Sequence, residues 1–248
     1  MNQIAEISSK VTNKPISIKK YNRLLAHKII AMVPVRAGST RVPNKNIRKF
    51  ADTSLLELKL KVLKKVKGIT QVVVSTDCET ALEIAQKQNV KVQLRNKYYA
   101  GSDVTNDQHW LHIAQTTPGN IVFLAQVTSP LLKASSIQNA LNIFMNSNTH
   151  DSLNSVSAEK KFLWKDMKPI NYDINVTPKS QDLPNIVSLN FAITIIKKQT
   201  MIKRKNVIGY NPSFVKLDKV ESLDIDDLID FKIAEIMYQE RGIEWLMS

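Results

Sequence analysis

Arg36, Arg41 and Lys45 lie close together in a stretch, IIAMVPVRAGSTRVPNKNI (29–47), that holds no carboxylate. Cations at that density, beside Gly38, Ser39 and Thr40 with free N–H groups and hydroxyls, suit an anion and above all a phosphate. The stretch is not a Walker A loop, which needs two bracketing glycines followed by Lys-Ser/Thr. Gly38 is the only glycine between Ile29 and Lys67, so anion binding here would rest on side chains more than on backbone. Alone, the same residues also suit a solvated basic turn. A second constellation, Leu223-Asp224-Ile225-Asp226-Asp227, gathers three carboxylates. Asp224 and Asp226, two apart in extended chain, project to one side and can share a hard cation such as Mg²⁺. Asp226 and Asp227 equally suit the cap and dipole of a following helix. Together, a basic loop and a carboxylate pair describe a phosphate-handling site better than either does alone.

Positioning these groups requires an alternating scaffold. Residues 1–28 are polar, with a weak apolar pattern, and read as an extension before a domain covering 29–248. The apolar run Ile29–Val33 predicts a buried strand that empties into the basic loop. Leu55, Leu58, Val62 and Val66 recur at helical spacing after a Thr53 or Ser54 cap. Val72–Ser75 and Val90–Leu94 predict further strands, and a helix with Ala81, Leu82 and Ala85 facing inward lies between them. A helix over 107–115, a strand over 121–125 and a helix over 136–144 complete four β-α repeats. Such repetition argues an α/β fold with a doubly wound, mostly parallel sheet. Ligands of such sheets bind at the carboxyl ends of the strands, which is where the basic loop lies. The pattern breaks over 151–185, a stretch with Pro169, Pro178, Pro184, Phe162, Trp164 and Tyr172 that reads as an irregular arm. Strands over 186–196 and 207–217 follow, then an amphipathic helix over 226–239 through Ile229, Ile233, Ile236 and Met237.

Composition bounds the partners. The 248 residues carry 35 lysines and arginines against 22 acids, a net charge of +13, yet only seven of the cations are arginine. No helix-turn-helix spacing, arginine fork or aromatic platform is visible, so nucleic acid is an unlikely partner and phosphate-bearing substrates explain the charge. No apolar run is long enough to span a bilayer and residues 1–28 lack the core of a secretory signal, so the expected address is cytoplasmic, with no membrane partner. The one cysteine, Cys78, excludes an internal disulfide framework and a multi-cysteine zinc site. It reads as structural, His109 and His112 as a solvated helix face, and Trp110 as core.

Taken with Val74-Ser75-Thr76-Asp77, Leu94-Arg95 and Gln126-Val127-Thr128-Ser129-Pro130, the two constellations resemble, in order along the chain, the CMP-sialic acid synthetase (acylneuraminate cytidylyltransferase) family. There is also likeness to the CMP-ketodeoxyoctulosonate synthetases in the Ser-Thr-Arg-x-Pro wording at residues 39–43. The resemblance implies a nucleotide-diphospho-sugar-transferase-like fold. It also implies transfer of CMP from CTP to the anomeric hydroxyl of a keto sugar acid, with release of pyrophosphate. It gives Arg36 and Lys45 the triphosphate, with Arg41 beside them and Ser39 and Asn46 as lesser polar contacts. Arg95 would lie by the nucleotide, Gln126 and Asn190 by the sugar, and Asp224 and Asp226 would hold Mg²⁺. The 151–185 arm would serve a homodimer, its tip reaching the partner's site with Lys160, Lys161 or Lys179. The sequence departs from the family wording at Thr40, Val127, Leu132, Ser188 and Phe191. No arginine occurs between Arg95 and Arg204, so a sugar carboxylate bound by that stretch would be met by lysine, amides or backbone donors. Two other readings stay open from residues alone: a catalytically degenerate relative that binds nucleotide or a protein partner, and a basic nucleic-acid binder using the N-terminal lysines.

Overall fold

The computed structural model describes residues 27–39, 41–101 and 103–248. The N-terminal extension up to residue 26 and the loop residue Thr40 lie outside the described residues. The first strand, β1 (Ile29–Val35), is buried on both faces save for Pro34, as a continuous apolar run requires. Ile29, Ala31, Val33 and Val35 enter one core cluster, whereas Ile30 and Met32 enter another. The first cluster takes side chains from α1 (Leu55–Lys65), α2 (Glu79–Lys87), α4 (Ala134–Asn146) and α6 (Leu228–Met247). The second takes them from α3 (Asn106–Thr116) and α5 (Lys198–Arg204). Helices therefore cover both faces of one sheet, the doubly wound arrangement expected.

That sheet has seven strands. From edge to edge they are β11 (Pro212–Lys216), β7 (Ser152–Glu159), β10 (Ile186–Lys197), β6 (Ile121–Leu124), β1, β4 (Gln71–Thr76) and β5 (Lys91–Leu94). β10 alone opposes its neighbours, pairing antiparallel with both β6 and β7, while the other contacts are parallel. Two short ribbons stand apart, β2 (Lys49–Phe50) with β3 (Thr53–Ser54), and β8 (Trp164–Lys165) with β9 (Lys168–Pro169).

Three expectations need correction. The segment read as irregular from 151 begins instead with β7, a full member of the sheet. Its Ser152, Asn154 and Ser155 are buried without apolar side chains, so periodicity gave no strand signal. The two serines are satisfied internally, Ser152 Oγ accepting from Gly209 N at 2.8 Å and Ser155 Oγ from Ile193 N at 2.8 Å, while Asn154 donates through Nδ2 to Thr194 Oγ1 and Val207 O at 3.4 Å each and its Oδ1 has no partner among the described residues. The strand over 207–217 is confined to Pro212–Lys216. On α6 the aliphatic stripe points outward, with Ile229 66% and Ile236 54% exposed, and the helix packs through Phe231, Ala234, Tyr238 and Leu246 instead. No helix among the described residues is long and apolar enough to cross a membrane.

Candidate active site

The chain leaves β1 at the carboxyl edge of the sheet and forms the basic loop there. Two anchors hold it. Val42 is fully buried, and Ala37 N donates to Asp77 Oδ1 at 2.9 Å, so the acid after β4 clips the loop to the next strand. Asn44 adopts a positive φ of 54°, and its carbonyl accepts from Ile47 and Arg48 N–H. This tight turn presents Lys45 inward. Asn46, 7% exposed, receives Leu56 N on its carbonyl at 3.0 Å, which joins the loop to the start of α1.

The aspartate segment arrives from the far end of the chain. Asp227 caps α6, accepting from Ile229 N at 2.7 Å and Asp230 N at 3.0 Å, and the Asp230 carboxylate bonds back to the Asp227 N–H. The helix then docks on the β2–β3 ribbon that follows the basic loop. Phe231 meets Phe50 edge-on at 5.3 Å, and Ala51 N donates to Glu235 Oε1 at 2.6 Å. Docking α6 therefore brings residues 224–226 against residues 41–45. The Lys45 ammonium donates to the Ile225 carbonyl, and Arg41 Nη2 lies 2.8 Å from Asp226 Oδ1. On the other side the Gln126–Pro130 turn after β6 completes the enclosure. Thr128 O accepts from Ile225 N at 2.9 Å, and the Thr128 side chain hydrogen-bonds the Asp224 carboxylate.

Two adjoining cavities result, of about 440 and 610 Å³. Arg36, Ser39, Asn46 and Arg95 line the first; Asn190, Asp224 and Asp226 line the second. Arg41, Lys45 and Gln126 border both. All ten residues singled out from sequence thus line this pair of cavities, Arg36 in the first and Asp224 in the second, with Arg41, Lys45 and Gln126 common to both. Asn190 sits at a bulge where the β10–β7 register shifts between Leu189 and Thr194, beside Phe191 with a positive φ of 54°. Its side chain is held by Ser155 and by Ser157 Oγ, the latter at 2.9 Å.

Charges in the depression are perturbed by their surroundings. Asp224 opens to the cavity but is crowded by protein, and this desolvation, with Asp226 beside it, raises its carboxyl; the Thr128 bond and the Lys45 charge oppose the rise. Desolvation lowers Lys45, while Asp224 and Asp226 pull it back up. Arg95, 6% exposed, is lowered by burial against the Asp77 charge and donates to Ser75 O at 2.6 Å. Below the second cavity Lys59 is 2% exposed and donates to Ser129 O at 2.8 Å; burial brings its ammonium down to about 7.

Sequence reasoning passed over several lining residues. His109 is not on a solvated face: it lines the first cavity, where burial and then the Arg95 charge hold its imidazole at about 4. Trp110 packs against the second core cluster, as expected, and its open side lines both cavities. Their helix, α3, carries a Thr105 capping box and little amphipathic contrast, so nothing in spacing marked its inner face. Tyr99 borders the first cavity and stacks on His112 at 3.8 Å. Thr128 stood within the quoted 126–130 segment, which was the one available signal for it.

Residues 30–214 match the cytidylyltransferase family. The chain is 26% identical over 224 residues to the N-acylneuraminate cytidylyltransferase of Escherichia coli O18:K1:H7, covering 87% of this chain and 53% of that protein. It thus spans about half the length of that relative. It is 23% identical over 233 residues to the CMP-N,N'-diacetyllegionaminic acid synthase of Campylobacter jejuni, covering 87% of this chain and 97% of that one. Among solved structures it resembles the CMP:2-keto-3-deoxy-manno-octonic acid synthetase complexed with CTP, with a TM-score of 0.65, 13% identity, and coverage of 86% of this chain and 99% of that one.

Proposed function

The chain belongs to the cytidylyltransferase family, and from that premise we propose that it transfers CMP from CTP to the anomeric hydroxyl of a keto sugar acid. In this reaction the hydroxyl oxygen bonds to the α-phosphorus, the bond from that phosphorus to the bridging oxygen breaks, and pyrophosphate leaves. The observation that carries the reading is the wall of Arg41, Lys45 and Gln126 shared by two cavities, one fitted for a polyanion and the other for a polar ring. Attacker and triphosphate repel one another, so this chemistry consists mainly of alignment and charge neutralisation. Arg36 and Lys45 would grip the triphosphate, with Ser39 and Asn46 as neutral contacts and Arg95 beside the nucleotide. Gln126 and Asn190 would orient the acid.

Arg41 is paired with Asp226 at 66% and 56% side-chain exposure, and an exposed pair of this kind is worth under about 1 kcal/mol. Substrate phosphate can replace the carboxylate on Arg41 at little cost, which frees Asp226. Asp224 and Asp226, two hard oxygen donors that line the second cavity together, would hold Mg²⁺. Mg²⁺ commonly takes one or two carboxylates and fills its shell with phosphate oxygens and water. When bound, it would withdraw charge from the phosphate oxygens.

The segment after β7 exposes Trp164, Met167, Ile170, Ile174 and Val176, with Met167 88% and Val176 72% exposed. This supports a homodimer in which that segment meets a second copy. Sedimentation as a monomer at micromolar concentration would rule the dimer out. For the reaction, pyrophosphate release from CTP is measured with N-acylneuraminate, N,N'-diacetyllegionaminate and 2-keto-3-deoxy-manno-octonate. Release with any of them supports cytidylyl transfer. CTP binding without release in all three assays leaves a nucleotide-binding protein that has lost the reaction.

A further inference from the structure

Helix α1 is tied to both walls of the depression through one of its faces. Leu56 N meets Asn46 O and so holds the end of the basic loop. Three residues later, one turn along the same face, the Lys59 side chain crosses 70 residues of sequence to Ser129 O at 2.8 Å. That bond pins the turn carrying Gln126 and Thr128, and Thr128 in turn holds Asp224 by its side chain and Ile225 by its carbonyl. The other buried side chains of α1 are Leu55, Leu56, Leu58, Leu60, Val62 and Leu63. A lysine among them makes no ion pair within 4 Å among the described residues, and with only the more distant Asp224 charge favouring its ammonium it costs more to bury than leucine or methionine would. Stability therefore does not explain its presence, whereas reach does: a four-carbon stem is what spans from the helix to the turn.

We propose that Lys59 is a positioning residue for the acid side of the site, holding the 126–129 turn so that Gln126 and Thr128 face Asp224. The inference rests on the function proposed above. Burial lowers the ammonium toward about 7, but the amine is a donor to Ser129 O whether or not it carries the extra proton, so the tie does not depend on its charge. The two ties are separable, which gives the test its asymmetry. Cutting Lys59 leaves the Leu56–Asn46 bond in place, and because Gln126 and Thr128 also line the first cavity, the effect on CTP is expected to be the smaller of the two.

The comparison is wild type against Lys59→Met, with Lys59→Gln used if the first variant does not fold. Calorimetric CTP affinity is expected to fall by a smaller factor than the affinity for the sugar acid. The kcat for pyrophosphate release should fall at least tenfold and the KM for the sugar acid should rise. Mn²⁺ affinity, read by electron paramagnetic resonance with no sugar acid present, should weaken at least threefold. Wild-type kcat and Mn²⁺ affinity in the variant would overturn the proposal. So would a parallel loss of CTP and acid affinity, which marks general damage to the fold. Should wild type turn over no acid at all, the functional reading fails, and the Mn²⁺ titration still decides whether Lys59 orders the aspartate wall.

Discussion

Lys45→Met removes one ammonium and leaves most of the side chain's apolar stem in place. In the folded protein that ammonium makes one charge-assisted bond, to the Ile225 carbonyl, from a half-buried position. Bonds of this kind contribute about 1.5–3 kcal/mol when shielded, and partial exposure reduces this to about 1–2 kcal/mol. For a chain of this size each kcal/mol moves the melting temperature by about 2–4 °C, so the variant should melt about 2–8 °C lower and remain folded. Activity should suffer far more. A cation aimed at developing phosphate charge inside a cavity is worth about 10²–10³ in kcat by analogy with single oxyanion donors. The pH profile adds an independent check. The metal-holding role proposed for Asp224 needs its carboxyl ionised, and Lys45 is one of the influences holding that raised carboxyl down. Without Lys45 that carboxyl rises further, so the acid limb of kcat/KM should move to higher pH. Pyrophosphate release across pH, with thermal melts at each point, measures all three effects. Activity within threefold of wild type, together with an unmoved acid limb, would refute the placement of Lys45 between phosphate and aspartates.

Arg41→Ala should lower the melting temperature by no more than about 3 °C, because its pair with Asp226 is exposed at 66% and 56%, yet cut kcat/KM at least tenfold; a large melting loss with intact activity would reverse the assignment. Lys59 has a folded value of about 7 against an ordinary 10.5, so its burial penalty is complete below about pH 7 and fades as pH rises toward 10.5, where the unfolded chain also sheds the proton. The stability of wild type relative to Lys59→Met should therefore climb from pH 7.5 to 9.5, by at most about 1.4 kcal/mol per unit; urea titrations showing a constant difference would contradict the buried position. At Gly209 an added Cβ would stand 2.0 Å from Asp151 Oδ1, in the carboxylate that accepts from Tyr210 and Asn211 N–H at 3.0 and 2.9 Å. Gly209→Ala should cost about 1–3 kcal/mol, and an unchanged melting temperature would show that the contact relaxes freely.

Features whose information is local were legible in the sequence. β1 announced itself as an unbroken apolar run, and Arg36, Arg41 and Lys45 follow it directly, so strand and loop could be read together. Asp224 and Asp226 were legible because two residues of spacing fix their common side. Features that depend on what packs where were not. Lys59 drew no reading from the sequence, because its partner Ser129 lies 70 residues away along the chain. Ile229, Ile233 and Ile236 form the more regular stripe on α6, but Phe231 and Tyr238 bury larger rings against Phe50 and so decide which face turns inward. β7 hid for the opposite reason, since buried polar side chains, Ser152, Asn154 and Ser155, interrupt its apolar positions Leu153 and Val156. His109 and Trp110 became cavity walls only when α3 folded back beside Arg95.

The bulge in β10 divides that strand into two halves with different obligations. Thr194–Lys197 is gripped on both flanks, by β6 and by β7, whereas Ile186–Leu189 is paired on the β7 side alone. Substitutions in the outer half can therefore accumulate and reshape the lobe around Asn190 without shifting the register that anchors the nucleotide side. With Asn190 orienting the acid as proposed, a lineage could change which acid it accepts by redrafting this half-strand while leaving the basic loop after β1 as it is.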